Sequence, residues 1–227
     1  MSFKEIVTNF LISLISIVLG VVVTFAGQGQ IDRLADRREV RSALELVRTE
    51  LESHISDINE MSEYLVQEKQ SADYFLDNRY SLSKCPADSI SLHAGNLFAD
   101  ASISLSQDAL ELLKNSSLFQ KIGDNNLSMK IIRAYDTSAS IASTMNRRIS
   151  DRNDRFEEAV NSQTVDRITT DGRIDIRKYI RTPYGLYTIQ WLSRQPDPEA
   201  FNDVSDVRDA LETIDKYLNP IKKRKKK

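Results

Sequence analysis

Cysteine, glycine and proline are all scarce in this chain, whose 227 residues include one cysteine, 7 glycines and 5 prolines. The single cysteine, Cys85, permits no internal disulfide, so nothing here asks for an oxidising compartment. Between residues 28 and 171 only Gly29, Pro86, Gly95 and Gly123 interrupt the chain. Such sparse punctuation favours long helices over sheets, which need frequent turns. The usual carriers of chemistry are missing too. There is no Gly-rich phosphate loop, no Cys or His pair at metal spacing and no Gly-x-Ser-x-Gly elbow. His54 and His93 stand apart, and Cys85, beside Pro86 in a loop-like stretch, has no neighbouring His–Asp arrangement. Asp151, Asp154, Glu157 and Glu158 interleave at helical spacing with Arg147, Arg148, Arg152 and Arg155, a pattern that reads as a solvated salt-bridge face. The sequence therefore predicts no cofactor, no metal and no enzyme.

What the chain does have is one long apolar run, residues 6–27. Residues 10–27 hold no ionisable side chain in 18 positions. At 1.5 Å per residue these span about 27 Å, and the whole run about 33 Å, enough to cross a hydrocarbon core of about 30 Å. The run predicts a transmembrane helix after a short external N-terminus (residues 1–5). A cleaved signal peptide fits less well. Its core is usually 7–15 residues and follows clear positive charge, whereas here Lys4 is offset by Glu5 and only Thr24-Phe25-Ala26 offers a weak cleavage site. Arg33, Arg37, Arg38 and Arg41 follow the run, against Lys4 alone before it. This bias keeps the downstream body in the cytoplasm and sets these arginines at the lipid headgroups, in and just after a basic junction over 28–39. Ser13, Ser16, Gly20, Thr24 and Gly27 recur at spacings of three and four. They predict a small-residue stripe through which two anchors associate.

Beyond the junction, residues 40–219 predict a helical bundle, giving an all-α fold in which the anchor continues into a long helix. Val40, Leu44, Val47, Leu51, His54, Ile58, Met61 and Leu65 alternate by four and three, a heptad-like stripe widened by Leu46, Ile55 and Val66. His54 on that stripe reads as a packing residue with one hydrogen bond. Periodicity fades over 71–100, which predicts a long connection suited to a binding surface. Ser104, with Gln107 as its reciprocal partner, reads as the cap of a short helix. A second long stripe follows: Leu127, Ile131, Tyr135, Ser138, Ile141 or Ala142, Met145, Ile149, Phe156 and Val160. The two long helices are expected to pack antiparallel as the spine of the bundle. Thr182-Pro183 opens a helix with an aromatic cluster (Tyr184, Tyr187, Trp191) that reads as core. A last amphipathic helix carries Val204, Val207, Leu211, Ile214 and Leu218.

Net charge is −2, but Lys222, Lys223, Arg224, Lys225, Lys226 and Lys227 form a basic tail over 220–227. The rest keeps 25 basic against 33 acidic residues, a net −8. An acidic body disfavours nucleic acid as the partner, and the tail's nearest anionic surface is the inner leaflet, so these six cations join the headgroup contacts. In layout the chain resembles a type of uncharacterised bacterial single-pass membrane protein with an N-terminal anchor and a helical soluble domain. The resemblance rests on Ala43-Leu-Glu-Leu-Val-Arg-Thr-Glu-Leu-Glu52, on Leu113-Lys-Asn-Ser-Ser-Leu118 and on Ile131-Ile-Arg-Ala-Tyr-Asp136. It implies an inner-membrane location and an architecture, with no activity attached. The expectation is a self-associating, membrane-anchored scaffold for a cytoplasmic protein partner. The alternative is a membrane-perturbing effector of a bacterial defence or toxin system, whose anchors assemble when triggered.

Overall fold

The computed structural model describes residues 3–161 and 175–219; of 3–33 and 159–161 it describes the backbone course alone. Among the described residues the chain is all-α, without a strand. Helix α1 runs unbroken over Phe3–Asp77, past residue 71, where the periodicity begins to fade. Next come α2 (Ala87–Phe98), α3 (Asp108–Asn115), α4 (Leu118–Ile122) and the long α5 (Asn125–Asn161). Then follow α6 (Ile176–Tyr179), α7 (Pro183–Ser193) and α8 (Ser205–Leu218). Among the described residues no helix is long and apolar enough to cross a membrane. The side chains of 6–27, including Ser13, Ser16, Gly20, Thr24 and Gly27, lie outside those described, as do Arg33, Val160 and the tail from residue 220.

The helix boundaries follow local chemistry. Gly123 closes α4 in the left-handed conformation, φ 67°, which glycine adopts without steric cost. Asp124 then caps α5, its Oδ1 accepting from the backbone N–H groups of Asn126 and Leu127. The Thr182 hydroxyl accepts from Gly185 N with Pro183 in the first turn of α7. The cap expected at Ser104 falls three residues early, since Gln107 holds the cap position. Residues 99–107 are not helical, and α3 begins at Asp108, whose N–H is taken by the Ser106 hydroxyl.

The two long helices are parallel, not antiparallel. Tyr135 donates to Glu50 Oε2 at 2.8 Å, and further along both helices Arg152 Nη1 lies 2.8 Å from Glu68 Oε1. The contact thus advances in the same sense on α1 and α5. The antiparallel partner of α1 is the stretch between them, where the sequence predicts a long connection over 71–100 followed by short helical structure from Ser104. Its contacts descend α1 in order: His93 on Ser71, Ala99 on Tyr64, Ser106 on His54, Ala109 on Glu50, and Lys121 on Asp36 and Glu39. Helix α8 and the residues leading into it also descend, from Asn202 on Ser62 to the Leu218 carbonyl on Arg41. Both the start of α5 and the end of α8 therefore sit at the end of the bundle nearer the apolar run, here called proximal.

Two hydrophobic cores are stacked along α1. The proximal core takes the whole stripe from Val40 to Leu65, with Leu127–Ile149 of α5 and Val207, Ile214 and Leu218 of α8. Leu46 does not join it and is 53% exposed. The distal core gathers Ala72, Phe75, Ile90, Leu97, Phe156, Tyr179, Ile189 and Leu192. In the distal core Gly185 is required. A Cβ there would stand 2.0 Å from the Tyr179 carbonyl oxygen.

Candidate functional site

Between the two cores lies a buried ionic layer. Glu68 of α1 is 0% exposed, and Arg148 and Arg152 of α5 are 6% and 1% exposed. Arg148 Nη2 lies 3.3 Å from Glu68 Oε2, and Arg152 Nη1 2.8 Å from Oε1. A carboxylate buried with two cations leaves one excess positive charge. Surrounding acceptors spread it. Arg152 Nη2 donates to Ala99 O at 3.0 Å and to Asn153 Oδ1 at 2.9 Å. Arg148 Nη1 donates to Pro196 O at 3.1 Å, and Arg152 also bonds the Tyr64 hydroxyl. Burial pushes the Glu68 carboxyl above the ordinary carboxylate range against the pull of both guanidiniums, and lowers Arg148. The layer thus ties α1 and α5 to the backbone at Ala99 and Pro196, where the chain crosses between cores.

This layer corrects one expectation. Arg148 and Arg152 are not part of a solvated face, although Asp151, Asp154, Glu157 and Glu158 are exposed. Their partner, Glu68, is eighty positions away. A count of charges within one helix has no access to it. Arg155 departs from that face too, its guanidinium stacking 4.6 Å from the Trp191 ring centre and 5.4 Å from that of Tyr187. The aromatic cluster of α7 therefore holds a half-buried arginine, with Tyr184 and Tyr187 at the surface.

Below the layer, the non-helical stretch 99–107 and the start of α3 run along α1 and α5, held by side chains that satisfy their backbone. The Asn146 amide takes both polar groups of Ile103, accepting from its N–H at 3.0 Å and donating to its C=O at 2.8 Å. His54 Nε2 lies 2.8 Å from Ser106 O, and its ring meets Tyr135 edge-on at 5.4 Å. His54 is thus buried with one hydrogen bond. Burial disfavours the Glu50 charge. Hydrogen bonds from Ser106, Tyr135 and the Ala109 N–H nonetheless hold this carboxyl below its ordinary value. Burial and Glu50 together push the Tyr135 phenol strongly up.

His93 does have company. It stacks on Tyr74 at 4.0 Å, with Nδ1 3.0 Å from the Ser71 hydroxyl. Ser71 is wholly buried and its hydroxyl already accepts from Asn96, so the Ser–His pair presents no nucleophile to solvent. Cys85 is half-buried, its thiol over the Ser81 carbonyl at 3.7 Å. Among the described residues no three His, Cys, Asp or Glu side chains converge as a metal site.

The remaining predicted site is the proximal end. Arg37, Arg38 and Arg41 are all exposed there. Arg41 pairs with Glu45 at 3.1 Å and donates to Leu218 O, also at 3.1 Å. Lys121 of α4 bridges Asp36 at 2.7 Å and Glu39 at 3.1 Å. Arg37 and Arg38 make no ion pair among the described residues. No protein-family model, curated protein or solved structure matches the chain.

Proposed function

We propose that this chain is a scaffold tethered in a bacterial inner membrane by residues 6–27, with its bundle in the cytoplasm, working by binding rather than catalysis. One observation carries the reading. Helix α1 continues without a break from the apolar run through both cores, and α8 returns to its proximal end. A body mounted on one continuous helix holds its distal end about 60 Å from the junction, at 1.5 Å per residue from Arg37 to Asp77. The exposed Tyr80, Leu92, Tyr184 and Tyr187 lie on the distal half and supply the apolar and aromatic contacts from which protein interfaces are built. Self-association rests on the small-residue stripe from Ser13 to Gly27, which lets two helices approach closely in lipid.

The test uses the full chain in cells. A cysteine replaces Tyr80, which is 88% exposed, in a Cys85→Ser background. The protein should resist alkaline carbonate extraction, and Tyr80→Cys should react with an impermeant maleimide only after permeabilisation. A separate Gly20→Cys variant should crosslink to a dimer. Labelling in intact cells overturns the cytoplasmic placement, release by carbonate overturns the anchor, and a Gly20→Cys variant that stays monomeric overturns association through the stripe.

A further inference from the structure

We propose that a cleft between the stretch 99–107 and α5 binds a compact apolar molecule carrying an N–H or O–H donor, which His54 Nδ1 accepts. The inference does not rest on the anchor. The cleft has a volume of about 390 Å³, within the range of about 300–1,000 Å³ usual for small-molecule sites. The sequence of α5 explains the space. Ala139, Ala142 and Ser143 line one wall, and positions three and four apart share a helix face. No side chain longer than serine stands at these three positions. Leu105 lines the opposite wall. The Asn146 amide, bonded to both backbone groups of Ile103, fixes that wall in place. The cleft is thus held open by a clamp.

His54 supplies the recognition. It lines the cleft together with Tyr135 and is only 2% exposed. Ser106 O can only accept, so the 2.8 Å contact places a proton on His54 Nε2. In the neutral ring Nδ1 is then a bare acceptor. It is buried and has no hydrogen-bond partner among the described residues. Buried polar atoms are nearly always bonded, and each orphan calls for a missing partner. The nearby polar groups are already engaged, since the Tyr135 hydroxyl donates to Glu50 and the Asn146 amide holds Ile103. The donor must therefore come from a molecule in the cleft. Water would complete Nδ1 but leave Leu105, Ala139 and Ala142 wet, whereas an apolar body with one donor satisfies both. An anion is disfavoured. It brings no proton to Nδ1, and the Glu50 carboxylate stands one turn from His54 on α1.

The test uses the full chain in lipid nanodiscs with nitrogen-15 labelled histidine. The sequence holds only 2 histidines, so the two rings are read separately and His93 is the internal control. At mildly alkaline pH imidazoles are neutral. Indole and phenol, each with one donor, should then move the His54 Nδ1 signal saturably and leave His93 unmoved. Benzofuran keeps the two-ring shape of indole without its N–H. Losing one hydrogen bond should weaken its binding about 2–10-fold and leave Nδ1 at its free position. Ala139→Leu puts a good helix former on the half-buried wall and should abolish the indole response by filling the cleft. Absence of a saturable shift with indole and phenol overturns the inference, since water alone then completes Nδ1. So does a benzofuran response equal to that of indole, or an indole response that survives Ala139→Leu. The comparison of indole with benzofuran uses the native chain and stands whether or not the variant folds.

Discussion

The proximal and distal cores share one helix but are built from different material. The proximal core is mainly aliphatic, with the Tyr135 and His54 rings buried in it, and is assembled from long helices whose apolar residues recur every three or four positions. The distal core is smaller and aromatic, with Phe75, Phe156 and Tyr179 buried and Phe98, Tyr74 and Trp191 packed against them. Phe156, Phe98 and Tyr179 meet at ring distances of 4.7–5.8 Å. The distal parts of α1 and α5 build it together with the short helices α2, α6 and α7. Regular packing can be extended indefinitely along a helix, whereas the distal core closes the bundle off. The Glu68 layer marks the change from one to the other.

The largest expected effect comes from breaking that layer. Glu68→Ala leaves two guanidiniums buried without a counterion and should cost about 3–5 kcal/mol in chemical denaturation. Replacing Glu68, Arg148 and Arg152 together with Leu and Met should recover most of that loss. If the layer couples the cores, Glu68→Ala should also split hydrogen exchange into two separately opening units. A second comparison sets Phe75→Ala, costing about 3–5 kcal/mol, against Leu51→Ala, costing about 2–5 kcal/mol. Each should lower amide protection mainly in its own core, and uniform loss from either variant would deny the division.

A smaller effect is expected at Asn146. Asn146→Ala orphans the backbone N–H and C=O of Ile103 at once and should cost about 1–3 kcal/mol. Proteolysis within 99–107 should rise with it. The smallest effect is a pH dependence. Glu50 titrates lower in the folded chain than unfolded, so its contribution is complete above the ordinary carboxylate range. It is lost as pH falls through the depressed folded value. Denaturation profiles should show proximal stability declining on acidification, and Glu50→Gln should flatten that part of the profile.

The same comparison governs what could be read from the sequence. Every proximal stripe residue from Val40 to Leu65, and every one from Leu127 to Phe156, is buried, because burial in a long helix leaves its period in the residues. Leu46 departs from this, since an apolar residue beside a stripe reads the same whether a neighbouring helix covers it or not. The distal core left no such period. Leu97, Tyr179 and Ile189 come from segments too short to repeat, Phe75 lies on α1 beyond the stripe that ends at Leu65, and α7 is apolar nearly all round, so Tyr184 and Tyr187 gave no sign of facing out. The ionic layer was hidden for a third reason. Arg148 and Arg152 follow the spacing of exposed pairs, and only their contact with Glu68 makes them buried. The parallel course of α1 and α5 depended on the return stretch 78–124, whose backbone partners are side chains such as Asn146 and Arg152.

The claim on which the functional account rests is that the chain's two junctions, Arg38 and Asn219, share one end of the bundle while Tyr80 occupies the other. Pulsed electron–electron resonance on the full chain, with spin labels at Arg38→Cys and Asn219→Cys or at Arg38→Cys and Tyr80→Cys, measures this directly in the Cys85→Ser background. The account predicts about 15–20 Å for the first pair and about 60 Å for the second. Comparable distances for the two pairs, or a first pair as long as the bundle, would contradict it.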